Sequence, residues 1–252
     1  MKMKTKILHK TINFTLGLTF VLGLWYAGYL YMQSPVLPSP ARVLTNLPNL
    51  LNQNILTHIW HSFYRVSLAL FFAMLAGLVI GIASAGSNPL SKVIGIFIYF
   101  TYPIPRVALL PVVMLVFGLG DTSKIIMIGI IIVYPIIIVV RDSVRSIPKE
   151  MYNTLTCYGA SSLQTFVFVT LPWATSAILS TMRISLGTAI AILFFTETYG
   201  TRFGMGFFIM DAWMRLSYVQ MYGGIVILSL VGFVLFIIVD VLENFFLRWK
   251  QA

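Results

Sequence analysis

VSLALFFAMLAGLVIGIASA, Val66–Ala85, carries no charged residue across about twenty positions. A helix rises 1.5 Å per residue, so a stretch of that length crosses a hydrocarbon core about 30 Å thick. Ile12–Tyr31 and Val219–Val239 are apolar runs of the same kind. A transmembrane barrel would instead show segments of about ten residues with alternating polarity. The whole chain agrees: of 252 residues, 59% are hydrophobic and 10% charged, against about 45–50% and about 25% in ordinary soluble domains. A soluble domain must cover itself with polar groups. The composition therefore excludes a soluble enzyme, a disordered chain and a coiled coil, and implies an all-α polytopic membrane protein.

Working outward from that run, the sequence predicts six transmembrane helices at 12–32, 59–86, 91–119, 122–141, 172–197 and 219–247. Residues 1–11 form an N-terminal tail and 12–252 one transmembrane domain. With the N-terminus inside, the inner side holds Lys2, Lys4, Lys6, Lys10, Lys92, Arg141, Arg145, Lys149, Arg248 and Lys250. The outer side holds Arg42, Arg65, Lys124, Arg202 and Arg215. Ten against five puts both termini in the cytoplasm. The same bias accounts for the net charge of +10 without a nucleic-acid partner. MKMKTKILHK and the run behind it look like a signal peptide, but Leu30-Tyr31-Met32-Gln33 lacks the small residues of a cleavage site, so an uncleaved first span is expected. The single cysteine, Cys157, excludes an intrachain disulfide.

The connections carry the functional information. In the outer segment 33–58, Leu37-Pro38-Ser39-Pro40 predicts an extended stretch, because proline removes a donor and restricts the residue before it. In the outer loop 198–218, Phe207–Arg215 mixes apolar and charged residues and is expected to lie along the membrane interface. The inner loop 142–172 is the longest inner connection. Pro148 and Glu150 suit a helix start, Gly159 permits a sharp turn, and Ser161 and Gln164 have capping-box spacing for a second helix. Leu171-Pro172 is expected to stop the pattern. Such a bracket suits docking of a partner, or is an ordinary amphipathic loop.

Tyr158-Gly159-Ala160, followed after Phe168 by Val169-Thr170-Leu171-Pro172, resembles the EAA loop of ATP-binding-cassette (ABC) importer permeases. The pattern places Gly ten residues before the I-x-L-P run; Asn153, Thr154 and Leu155 stand where E-A-A would be, so its acidic residue is missing. Leu37–Pro40, Pro103–Pro111, Phe117–Lys124, Arg183 with Glu197, and Gly204-Met205-Gly206 are similar, in order and spacing, to motifs of the nitrate/sulfonate/taurine-type permeases. The resemblance covers about residues 35–250. It implies the type I importer permease (MetI-like) fold in a bacterial inner membrane. It also implies two ATP-binding subunits, a second permease copy and an extracytoplasmic substrate-binding protein. Glu150, Tyr158, Gly159, Ala160, Ser161, Leu171 and Pro172 would dock the ATPase. The solute would be small, polar and anionic (nitrate, bicarbonate, sulfonate or taurine type), with a pyrimidine or vitamin precursor as the alternative.

The sequence has no GxxxxGK[ST], and Gly118–Lys124 lacks the spacing, so ATP and Mg²⁺ are expected on a separate chain, with no cofactor on this one. No Ser/His/Asp triad is evident. His58 and His61 share a helix face, but zinc would need further ligands, and packing is the simpler reading. An intramembrane enzyme and a purely structural subunit are the remaining, weaker alternatives. Ionisable residues within spans usually mark function or pairing. Arg106 lies among Pro103, Pro105 and Pro111, where a broken helix lines a path or is a kink packed between helices. Glu197 is a path residue or a paired carboxylate. Arg183 and Arg145 are expected to snorkel. Gly77–Gly81 predicts close helix packing, within the chain or across a dimer.

Overall fold

The computed structural model describes residues 2–51, 54–101 and 103–247, with side chains from Thr15 onward; Arg248 and Lys250 of the charge tally lie outside the described residues. The chain folds as helices α1 (Lys2–Met32), α2 (Pro40–Leu50), α3 (Ile55–Gly86), α4 (Asn88–Thr101), α5 (Leu110–Phe117), α6 (Asp121–Arg145), α7 (Lys149–Cys157), α8 (Ser162–Thr165), α9 (Leu171–Glu197), α10 (Met205–Met214) and α11 (Tyr218–Phe246). Among the described residues five helical stretches are long and apolar enough to cross a membrane, and a sixth crossing results if α4 and the Arg106–Phe117 stretch count as one bent span.

The centre is the pair α3 and α6, with α9 against α6 and α11 against α9. Val66, Ala69, Ile128, Ile132, Ile136, Leu186 and Leu193 are fully buried there. Lipid tails are as apolar as leucine, so close backbone approach rather than water exclusion favours such pairs. Gly77 and Gly81 provide it within the chain: a Cβ on Gly77 would collide with the side chain of Ile136, and one on Gly81 would lie 2.6 Å from Val140. Gly77→Val is expected to lower stability by about 1–3 kcal/mol through overpacking, read as the midpoint of unfolding in dodecyl sulfate. Gly86→Val, where a Cβ meets nothing within 4 Å, is the control; equal loss in both variants would remove packing as the cause.

The third span is broken where its prolines predict: α4 and the Arg106–Phe117 stretch meet at 88°. Three expectations are corrected. The outer segment is not extended throughout. Ser39 Oγ accepts the Arg42 N–H, and Pro40 occupies the first turn of α2, where its missing N–H costs nothing. The 207–215 stretch does not simply lie on the interface, because α10 buries Met205, Phe208, Ile209 and Ala212 against α9 and α11. Leu171-Pro172 does not stop the helix. Phe166–Thr170 forms a π turn that runs into α9, with Leu171 N–H bonded to Phe166 O. The wider turn accommodates a proline that lacks a donor and would crowd the carbonyl four residues back.

α1 stays at the periphery. Its Trp25 Nε1 donates to Pro38 O at 3.1 Å, and its ring stacks on Tyr222 with centroids 5.6 Å apart.

Candidate functional site

Three places gather the functional candidates. The first is a closed polar cluster joining α3, α6, α9 and the 198–206 turn. His58, His61, Ser62 and Arg65 follow helical spacing and face the same neighbours. Arg65 is 2% exposed and Glu197 0%. Arg65 Nη1 donates to Glu197 Oε1 at 2.7 Å and to Phe203 O at 2.8 Å, and Arg65 Nη2 reaches Asp121 Oδ1 at 2.6 Å. Glu197 Oε2 also accepts from Ser62 Oγ and from Gly206 N–H, each at 2.8 Å. The Gly-x-Gly turn has a physical cause here. At Gly204, with φ +140°, a Cβ would sit 2.6 Å from Glu197 Oε1 and 2.7 Å from Arg65 Nη1; at Gly206 it would sit 2.6 Å from Phe194 O. His58 is buried, and Gly204 N–H donates to its Nδ1 at 3.1 Å, while His61 Nδ1 lies 3.6 Å from Asp121. Among the described residues no group of three or more His, Cys, Asp or Glu could hold a metal.

Lys124 belongs to the same cluster. It is 0% exposed, and its Nζ donates to Leu119 O at 2.7 Å and Gly120 O at 3.1 Å. It thereby fastens the turn after α5. Arg65 and Lys124 are therefore buried in the cluster and do not act as displayed outer-loop charges. Without them, Arg42, Arg202 and Arg215 remain on the outer side of the tally. The sequence signal that marks Arg65 is the 58, 61, 62, 65 spacing, which the unbroken apolar run starting at Val66 overshadows.

The second place is the break in the third span. Pro103 and Pro105 lie between α4 and a 3₁₀ turn at Arg106–Leu109, and Pro111 sits in the first turn of α5. The guanidinium of Arg106 lies over the Tyr134 ring, 4.6 Å from its centroid, beside a shallow, open depression of about 250 Å³ shared with Ile104, Val107, Ile131 and Ile192. Asp121 and Glu197 engage Arg65. Glu197 is enclosed in the first cluster and does not line this depression.

The third place is the bracket. Glu150 is in the exposed first turn of α7. Tyr158 is 86% exposed, and Gly159 takes φ +75°, a left-handed conformation that costs a residue with a Cβ about 1–2 kcal/mol. Ala160 follows, and Ser161 caps α8 in a full capping box with Gln164. Tyr152 Oη and Thr170 Oγ1, 3.2 Å apart, hold α7 to the π turn. Leu171 and Pro172 line a groove of about 640 Å³ with Met151, Phe168, Trp173 and Leu247. Arg183 pairs with Asp240 and Glu243 of α11. Arg145 Nη2 is 3.4 Å from Ser84 O.

Residues 47–250 match the family described as binding-protein-dependent transport system inner membrane component, and the chain belongs to it. It is 30% identical over 237 residues to the taurine transport system permease protein TauC of Escherichia coli (strain K12), covering 90% of this chain and 86% of that one. A putative aliphatic sulfonates transport permease protein SsuC of Bacillus subtilis (strain 168) is 27% identical over 235 residues, covering 92% and 85%. A crystal structure of a bacterial ABC transporter involved in the import of the acidic polysaccharide alginate contains a chain of like fold, with TM-score 0.60 and 16% identity, covering 97% of this chain and 99% of that one. The fold is thus that of the MetI-like type I importer permeases. The chain is a multi-pass inner-membrane permease subunit of an ABC importer, a transport component and not an enzyme, and it works with an ATPase and a substrate-binding protein.

Proposed function

We propose that this subunit forms the translocation path for a small polar anion of the sulfonate or taurine type, delivered by the binding protein. The observation that carries this reading is Arg106 at the break of the third span, stacked on Tyr134 beside an open depression. Backbone groups freed at membrane depth need water or protein partners, and an aqueous path supplies water. The same water lowers the cost of holding a guanidinium there, which is at least ~2.5 kcal/mol at the bilayer centre. A fixed positive charge beside the path favours an anion, and the guanidinium fork can pair two N–H donors with two oxygens of an oxyanion. The similarity to the taurine and sulfonate permeases supports the same class.

The complete importer has two copies of this permease and two ATPases, with ATP and Mg²⁺ bound on the ATPases. Both termini are cytoplasmic, a reading the reduced outer charge tally supports. The bracket from Pro148 to Pro172 then faces the cytoplasm and fills a groove in the ATPase, as amphipathic helices do.

The test uses the reconstituted importer. Its binding protein is screened against taurine, alkylsulfonates, nitrate, bicarbonate and pyrimidines, and uptake per folded complex is measured for Arg106→Gln and Arg106→Lys. A sulfonate is expected to bind, Arg106→Gln to cut uptake at least tenfold, and Arg106→Lys to keep part of it. Binding of a neutral pyrimidine alone overturns the substrate class. Parental uptake by both variants overturns the role of Arg106.

A further inference from the structure

The far end of α1 meets the start of α2 in a cleft of about 430 Å³ lined by Tyr29, Gln33, Ser34, Ser39 and Arg42. Gln33 N–H bonds to Tyr29 O, and at φ +44° Gln33 turns the chain back toward α2. Every polar side chain here can donate a hydrogen bond. Ser39 Oγ accepts the Arg42 N–H and Ser34 Oγ the Val36 N–H, each at 3.3 Å, so both hydroxyl hydrogens stay available. No carboxylate balances the guanidinium. The chain has seven acids, the first of them Asp121. Six of these hold other cations, and Glu150 stands on the bracket in α7. Arg42 thus has no acidic partner among the described residues. A cleft rich in donors, with a cation and no carboxylate, suits an oxyanion.

The setting of the cleft narrows the anion. α1 runs along the periphery of the fold, and none of its residues from Thr15 to Met32 is buried. Trp25, Tyr26, Tyr29 and Tyr31 crowd its last two turns, and such side chains settle at the headgroup level of a bilayer. Below them the exposed Val21 and Leu24 continue down α1, an apolar track for acyl chains. We infer that the cleft between α1 and α2 binds the phosphodiester of an anionic phospholipid, with Arg42 pairing the phosphate oxygens and Ser34, Ser39 and Gln33 donating to them. A glycerol headgroup adds only hydroxyls. An ethanolamine headgroup adds an ammonium, for which the cleft has no carboxylate. The lipid bridges α1 to α2 beside the hydrogen bond from Trp25 Nε1 to Pro38 O. This site is separate from the solute path; it rests on α1 crossing the bilayer and not on which solute is carried.

The experiment is native mass spectrometry of the complete importer, stripped of lipid in detergent and titrated with phosphatidylglycerol or phosphatidylethanolamine. Inorganic phosphate and taurine, each at millimolar concentration, are the soluble competitors. The tightest site is expected to prefer phosphatidylglycerol. Arg42→Gln is expected to weaken that site at least about fivefold, the effect of one arginine at an anionic lipid surface. Arg42→Lys, which keeps the charge but loses the fork, is expected to fall between the two. Arg202→Gln removes the same charge outside the cleft and is expected to bind as the parent does. Parental affinity in Arg42→Gln overturns the inference. Equal losses in Arg42→Gln and Arg202→Gln mean diffuse surface attraction, and overturn it too. Equal affinity for the two lipids removes the anionic headgroup. Displacement of the lipid by phosphate or taurine means that a soluble anion occupies the cleft, and overturns the lipid as its source. Failure of the sulfonate screen leaves these lipid affinities untouched, so the two readings are separable.

Discussion

Glu197→Gln is expected to destabilise the permease by about 3–5 kcal/mol, the usual cost of breaking a buried ion pair from one side. The carboxylate accepts from Arg65, Ser62 and the Gly206 N–H at once. A carboxamide presents an NH₂ to one of these three donors and leaves Arg65 with Asp121 and Phe203 O. The loss then spreads through geometry. Arg65 and Ser62 stand on α3, Glu197 ends α9, and Ser62 Oγ also takes the Met205 N–H at 2.7 Å, at the first residue of α10. The 198–206 turn is therefore expected to become sensitive to protease in Glu197→Gln, alongside a lowered unfolding midpoint in dodecyl sulfate. Ser62→Ala should cost only about 1–3 kcal/mol, the penalty of leaving one buried partner unsatisfied. Combining Glu197→Gln with Arg65→Met should recover part of the loss, since the guanidinium that has lost one of its two acids no longer has to be held in the buried cluster; coupling of this kind is what a double-mutant cycle reads. A Glu197→Gln midpoint within about 1 kcal/mol of the parent contradicts the account.

The membrane-spanning helices were legible because hydropathy alone decides them: runs such as Val66–Ala85 admit no other solution in a bilayer. The bracket was legible for a different reason. Its signals are local, and Pro148, Gly159 and the Ser161–Gln164 pair act within a few residues of themselves. What the sequence hid is what depends on distant partners. Arg65 looks like a loop charge until Glu197, 132 residues away, is placed beside it. The same holds for Arg183, whose acids lie 57 and 60 positions on. Lys124 is read as an outer charge because its acceptors are backbone carbonyls, which leave no trace in composition. α2 was missed because proline was read as a breaker, although Pro40 stands at the one helical position that favours it. α10 was missed because its burial requires α9 and α11, and a short apolar helix beside charged residues reads equally as an interfacial one.

Gly159→Trp is expected to leave the permease inserted and folded but to abolish its co-purification with the ATPase. The structural reason for the first half is space: a Cβ at Gly159 meets nothing within 4 Å, so the fold has no steric objection. The reason for the second half is conformation. At φ +75° a residue with a Cβ is strained, and the chain relieves that strain by opening the turn between α7 and α8. Gly159 N–H bonds to Thr156 O and Ala160 N–H to Leu155 O, so opening the turn also loosens the end of α7. The bracket's exposed side, with Tyr158 and Leu163 at 86% and 71%, would then no longer present one rigid shape, and a groove that accepts two helices at a fixed angle discriminates against a mobile pair. Gly159→Ala separates the two causes. It has nearly the same backbone penalty without the indole, so a turn-opening mechanism predicts a clear loss with alanine and a larger one with tryptophan. Full docking by Gly159→Ala with none by Gly159→Trp would place the effect on bulk at the contact surface instead. Unchanged docking and coupled ATP hydrolysis in both variants would falsify the assignment of this bracket to the ATPase, because no other position in it combines an obligatory backbone conformation with so exposed a setting.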